Sequence, residues 1–232
     1  MPNLNQLKKE LKKLGQPECK KILQKYFKTG KGEYGEGDIF LGVKIWPLRT
    51  LAKEYDLSLN DITKLLKSKI HEYRMVAILM LVKKFGQADQ KTKKQIFNLY
   101  LKNTKYINNW DLIDLSTPNI IGAYLLDKKR DILYRLAKSK SIWEKRIAML
   151  ATLTFIKNNQ FKDTLKISKI LLNDDHDLIH KAVGWMLREV GKRNIRIEEE
   201  FLKKYYKIMP RTMLRYAIEK FPEKKRQKYL KK

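Results

Sequence analysis

An all-α fold, a curved superhelical solenoid of about 12–14 helices packed as antiparallel pairs, is the architecture this 232-residue sequence predicts. Three observations lead there. From Pro47 onward apolar residues recur at helical spacing, and no run alternates as a half-buried strand would. The helical segments are short and so are the connections, which makes sequential helices antiparallel neighbours. A weak internal echo adds a period: His71-Glu72-Tyr73-Arg74 and Trp143-Glu144-Lys145-Arg146 each open a long apolar segment with a ring residue, a glutamate and an arginine. They lie 72 residues apart, two repeats of 36, a spacing that suits stacked helical pairs.

The elements follow in order. Leu4, Leu7, Leu11 and Leu14 mark a first helix, Gly15 breaks it, and Pro17 opens a second whose apolar face carries Ile22, Leu23, Tyr26 and Phe27. Residues 29–45 hold Gly30, Gly32, Gly35, Gly37 and Gly42, five of the ten glycines, and read as a loop. A phosphate cradle would need a preceding strand and a following Gly-Lys-Ser/Thr, and neither is present. A conformationally demanding connection near the partner surface is the better reading. Helices are then expected over 47–56, 58–68, 71–85, 89–104, 109–116, 118–127, 129–138, 141–157, 160–172, 176–191, 195–208, 211–220 and 222–231. Ser58, Asp89, Ser141 and either Asp175 or His176 sit where helix N-caps belong.

The charge points outward, to a partner. Lys and Arg number 52 against 25 acids, a net +27 that calls for a polyanion: nucleic acid first, an anionic membrane surface second. Residues 192–232 alone carry 15 bases and 5 acids, yet Phe201, Tyr205, Ile208, Leu214, Ala217, Ile218 and Phe221 keep helical spacing there, so this is a folded basic flank or a solvated face, not a disordered tail. The single cysteine, Cys19, excludes an internal disulfide and any multi-cysteine zinc site, and fits a reducing compartment. The longest apolar run, Met75–Val82, is far short of the roughly 20 residues a membrane helix requires. The opening residues lack the apolar core of a signal peptide. A soluble, cytoplasmic monomer with no membrane partner is the expectation.

Little conventional catalytic chemistry is available. His71, His176 and His180 have no metal-ligand spacing, and Asp174-Asp175-His176-Asp177 reads as a helix cap whose acids suit the helix dipole. No metal and no cofactor are expected. No serine or cysteine occupies a nucleophile motif. What remains is Trp110 and Asp114, four residues apart and on one face if their segment is helical, with Arg146 and Trp185 farther along. Each has a bland alternative: a tryptophan in the core, an aspartate balancing nearby lysines, an arginine on the surface.

The segment Asn108-Asn109-Trp110-Asp111-Leu112-Ile113-Asp114 resembles a signature of the AlkD family of DNA alkylation repair glycosylases. The resemblance extends in order through Gly35–Val43, His71–Arg74, Ile142–Ala148, Leu178–Lys192 and Arg215–Phe221. It implies a single domain over 1–232, HEAT-like repeats, and duplex DNA containing alkylated purines held on a basic concave face. It implies excision of cationic purines such as 3-methyladenine and 7-methylguanine, with no small-molecule cofactor. By motif Asp114 would be the catalytic carboxylate, Trp110 and Trp185 the aromatic walls, and Arg146 a contact to the DNA backbone near the lesion. Arg74, Lys181, Arg188 and Lys192 are the basic residues of the shared blocks expected to touch DNA. Two other readings stand beside this one: a non-catalytic helical-repeat module that binds damaged or branched nucleic acid, and a protein scaffold.

Overall fold

The computed structural model describes residues 3–231 and is all-helical; among those residues the only β-type pairing is an isolated bridge between Ile39 and Ile70. Its contacts divide the chain into two compact units, Met1–Ile120 and Ile121–Lys232.

The first unit contains α1 (Leu4–Lys13), α2 (Pro17–Tyr26), α3 (Ile45–Glu54), α4 (Leu59–Leu66), α5 (His71–Gln87), α6 (Gln90–Lys102) and α7 (Trp110–Thr117). Helix α5 is its centre because it contains the longest apolar run; α1, α3, α4, α6 and α7 all pack on it. Met75, Val76, Ala77, Ile78, Met80 and Leu81 are at most 3% exposed, so the helix is covered on nearly every side. Expected caps form here: Ser58 accepts the N–H of Asp61, and Asp89 that of Thr92. The glycine-rich connection between α2 and α3 is a loop, as expected, and it is tied down. Ile39 exchanges backbone hydrogen bonds with Lys69 and His71, and the carboxylate of Glu72 accepts the N–H groups of Leu41, Gly42 and Val43. Gly42 is required: its φ is +88°, and a Cβ would overlap the Gln16 carbonyl where the loop crosses the start of α2.

Helices α7 and the expected 118–127 helix differ from the sequence reading. Pro118 has no N–H to give the Asp114 carbonyl four residues back, and its ring crowds that carbonyl. The chain does not break; it widens into a π-helical turn over Pro118–Gly122 before a short helix α8 (Ala123–Leu125).

The second unit continues with α9 (Asp131–Ala137), α10 (Ile142–Lys157), α11 (Lys162–Ile170), α12 (Asp177–Arg193), α13 (Ile195–Tyr205), α14 (Arg211–Ala217) and α15 (Glu223–Leu230). Helices α10, α12 and α14 pack successively on one another, α9 and α11 lie against α10, and α13 lies against α12. Contacts between near neighbours in sequence, with alternate helices forming a row, are the pattern of a helical-repeat solenoid. Arg130 fastens α9 to its surroundings: it pairs with Asp163 at 2.7 Å and lies 3.7 Å over the Phe155 ring. Ser141 caps α10, and His176 rather than Asp175 caps α12, its Nδ1 accepting the Leu178 N–H at 3.1 Å. Among the described residues no helix is long and apolar enough to cross a membrane, and no group of three or more His, Cys, Asp or Glu is placed to hold a metal ion.

Candidate active site

The first turn of α7 is set by polar side chains on both sides of it. The Asn109 side-chain oxygen accepts the Trp110 N–H at 2.8 Å, and Asp111 Oδ1 accepts the Leu112 N–H at 2.8 Å. Asp111 Oδ2 lies 2.9 Å from His71 Nε2 on α5, and Asn108 Nδ2 reaches Asp38 in the glycine-rich loop at 3.4 Å. At its other end α7 is held by Tyr100 of α6, whose buried hydroxyl shares hydrogen bonds with Ser116 and Thr117 at 2.9 and 2.8 Å. Burial, and less strongly the charge of Asp114, pushes the Tyr100 phenol up to about 12. The helix is therefore fastened at both ends, with Trp110 at its first position and Asp114 one turn further on.

Both of those side chains are partly exposed, and on a regular helix residues four apart share a face. Trp110 is not a core tryptophan: its ring stacks on Phe27 at 5.3 Å and meets the edge of Tyr26 at 5.9 Å. Tyr26 and Phe27 come from the end of α2, a helix with no buried residue of its own. Sequence periodicity placed Tyr26 on an apolar face, but it is 61% exposed at the edge of the Trp110 ring. An exposed aromatic touching Trp110 belongs to the candidate site, and the available signal was its position: the last residue of a lysine-rich helix, directly before the glycine-rich loop.

The other two residues expected at the site, Arg146 and Trp185, belong to the second unit. Arg146, in the second turn of α10, and Trp185, midway along α12, come from helices that pack on each other. Arg146 Nη1 donates to the Leu178 carbonyl at the start of α12, 2.6 Å away, and the side chain is only 5% exposed. Trp185 is half-buried on the side of α12 away from Val183, Met186 and Leu187, its indole N–H donating to Glu189 at 3.1 Å. Glu189 also takes Lys192 at 2.6 Å. Lys181 pairs with Asp177 at 2.6 Å, and Arg188 pairs with Glu219.

One expected DNA contact is corrected. Arg74 is 2% exposed; its guanidinium donates to Asp38 at 2.7 Å and to the Ser68 carbonyl at 3.0 Å. A cation so enclosed cannot reach a phosphate without dismantling the loop it holds. Lys181 and Lys192 keep exposed ammonium stems, and Arg188 is largely covered.

The model of a family described as DNA alkylation repair enzyme matches residues 7–221, nearly the whole chain and both units. This chain belongs to the DNA alkylation repair enzyme family. DNA is accordingly its partner, which accounts for the +27 charge in the way the composition requires. A solved structure titled "Predicted DNA alkylation repair enzyme from Enterococcus faecalis" shares the fold, with a TM-score of 0.70, 17% sequence identity, and coverage of 90% of this chain and 97% of that one. Among curated proteins none matches this chain significantly.

Proposed function

We propose that this DNA alkylation repair protein is a monofunctional glycosylase that releases cationic N-alkylated purines, such as 3-methyladenine and 7-methylguanine, from duplex DNA. The observation that supports the reading is the placing of a partly exposed carboxylate, Asp114, and a partly exposed indole, Trp110, one turn apart on a helix fastened at both ends.

The chemistry asks for little more. A purine alkylated at N3 or N7 is already positive, so its glycosidic bond is weakened and the base departs neutral without a general acid. Breaking that bond leaves an oxocarbenium on the sugar, as in glycoside hydrolysis. Asp114 stabilises the cation and accepts a proton from the water that attacks it, which gives an abasic sugar and a free base. The electron-rich face of Trp110 attracts the cationic base, a contact contributing on the order of 0.5–2 kcal/mol; Trp185 on α12 offers an aromatic face of the same kind. Arg146, buried and donating to the Leu178 carbonyl, acts by holding the start of α12, the helix that carries Trp185. A neutral lesion, whose leaving group needs protonating, is a poor substrate for this set of residues. Exposed lysines, Lys181 and Lys192 among them, neutralise phosphates and position the duplex without reading sequence.

The test is base release from methylated duplex DNA by the parent protein and by Asp114→Asn. Release is expected from the parent, and salt-sensitive DNA binding from both. The variant should lose release by a factor of about 100 or more, the cost of removing a group that acts on the transition state. Binding without release by the parent would leave a non-catalytic DNA-binding module. Release by the variant at the parent rate would remove Asp114 from the mechanism.

A further inference from the structure

Beneath the Trp110 ring lies a buried polar cluster that the proposed chemistry does not use. His71 is 3% exposed, at the first position of α5. Its Nε2 faces Asp111 at 2.9 Å and its Nδ1 faces Asp38 at 3.4 Å. Arg74, one turn along α5, donates to the same Asp38 oxygen at 2.7 Å. The charged groups around His71 are therefore Asp38 from the glycine-rich loop, Asp111 from α7 and Arg74 from its own helix; the adjacent Glu72 turns its carboxylate to Leu41, Gly42 and Val43 instead. Two carboxylates and one guanidinium leave one buried negative charge in excess, and an imidazolium cancels it.

The same ring belongs to an aromatic series that reaches the candidate site. Phe40 stacks on His71 at 4.5 Å, Phe27 lies 5.1 Å from His71, and Phe27 stacks on Trp110 at 5.3 Å. The Asp111 that His71 engages is the residue next to Trp110, and its other oxygen accepts the Leu112 N–H of α7. His71 thus acts on Trp110 by two routes: through Asp111 it fixes the first turn of the helix, and through Phe27 it backs the plane of the indole.

We propose that His71 is a positioning residue: as an imidazolium held between Asp38 and Asp111, it sets the first turn of α7 and the orientation of Trp110, and through that helix the approach of Asp114 to substrate. Burial by itself would lower the imidazole, but the Asp111 charge and hydrogen bond, aided by Asp38, hold it up at about 9. At neutral pH the cluster is charge-balanced. Deprotonation, on passing about 9, leaves the net negative charge uncompensated and loosens the Asp111 contact.

The catalytic part of this inference rests on the proposed glycosylase reading; the positioning part does not, and the experiment separates them. In the full-length protein, the Trp110 indole N–H resonance, identified by its loss in Trp110→Phe, is followed together with the His71 imidazole from neutral pH through about 9. The indole signal is expected to move with the same midpoint as His71, and to lose that titration in His71→Gln. An imidazole that titrates near the ordinary value of about 6.5, or a Trp110 signal blind to it, overturns the proposal. Asp111→Asn, which preserves shape, serves if His71→Gln fails to fold: it should displace the Trp110 signal and lower the His71 midpoint, and an unmoved signal overturns the proposal as well. On methylated DNA both variants should lower kcat roughly tenfold to a hundredfold, the cost of a small misplacement, while DNA affinity stays at the parent value. If the parent releases base and both variants release it as fast, positioning fails and the glycosylase reading stands. If the parent releases none, the glycosylase reading fails and the spectroscopic titration still decides the role of His71.

Discussion

Glu72 and Glu198 are both 1% exposed, and both sit on helices among apolar neighbours, yet they are opposite kinds of residue. Glu72, in the first turn of α5, receives three backbone N–H groups from the loop: Leu41 at 2.9 Å, Gly42 at 2.8 Å and Val43 at 3.2 Å. Glu198, in the first turn of α13, has one carboxylate oxygen with no hydrogen-bond partner. Burial pushes its carboxyl up to about 8, Glu199 adds to the rise, and Arg188 and Lys225 offset only part of it. Equal burial therefore says little about a glutamate. What decides is whether the fold delivers donors to it. In the first unit a buried anion organises a loop; in the second a buried acid is held neutral.

The largest effect should come from removing the anion that is used. Glu72→Ala leaves the Leu41, Gly42 and Val43 N–H groups buried without an acceptor, an expected loss of about 3–5 kcal/mol in urea unfolding. Hydrogen exchange at those three amides should accelerate before global unfolding does. Unchanged protection there would mean that the loop is ordered by the Ile39–Ile70 bridge alone.

The same substitution at both sites sharpens the contrast, because its sign should reverse. Glu72→Gln presents an amide N–H₂ to backbone donors and should cost roughly 1–3 kcal/mol. Glu198→Gln should stabilise. The folded carboxyl is raised to about 8, above its unfolded value of about 4.3, so the unfolded state gives up its proton first as pH rises. Parent stability then falls with pH between those two values and levels off above the higher one. The variant lacks that fall, so its advantage should grow across the window by up to about 1.4 kcal/mol per pH unit. Denaturant midpoints measured across this window check both the slope and its loss.

The contrast also marks what could be read in advance. Helix starts were legible because the cap is local: Ser58, Asp89 and Ser141 each precede their helix and bond within three residues. The four-residue spacing of Trp110 and Asp114 was legible, and both residues lie on one helix, α7. What was lost depends on partners distant in sequence. Arg74 looked like a surface cation because nothing local shows that Asp38, 36 positions earlier, lies against it. Tyr26 looked like core because only the fold puts its ring at the edge of Trp110. Pro118 looked like a helix start, and the π-helical turn that absorbs it follows from how its neighbours pack. Glu72 and Glu198 belong with these: each reads as an ordinary helical acid until the loop or helix facing it is known.

The smallest expected effect isolates the Glu198 side of the comparison. Gly191 lies on α12 where a Cβ would overlap the Glu198 carboxylate, with the Glu198 Cβ 3.4 Å away at ordinary contact distance. Alanine is the better helix former by up to about 1 kcal/mol, so the glycine is costly to the helix and is kept by that carboxylate. Gly191→Ala in the parent should be neutral or destabilising, because the acid must move while already short of partners. In a Glu198→Ala background the obstruction is gone, and the same change should stabilise by about 0.5–1 kcal/mol. The coupling between the two positions is thus expected to be positive and read from four urea curves. Additive effects would mean that Glu198 shifts freely, and that its raised carboxyl reflects burial without confinement.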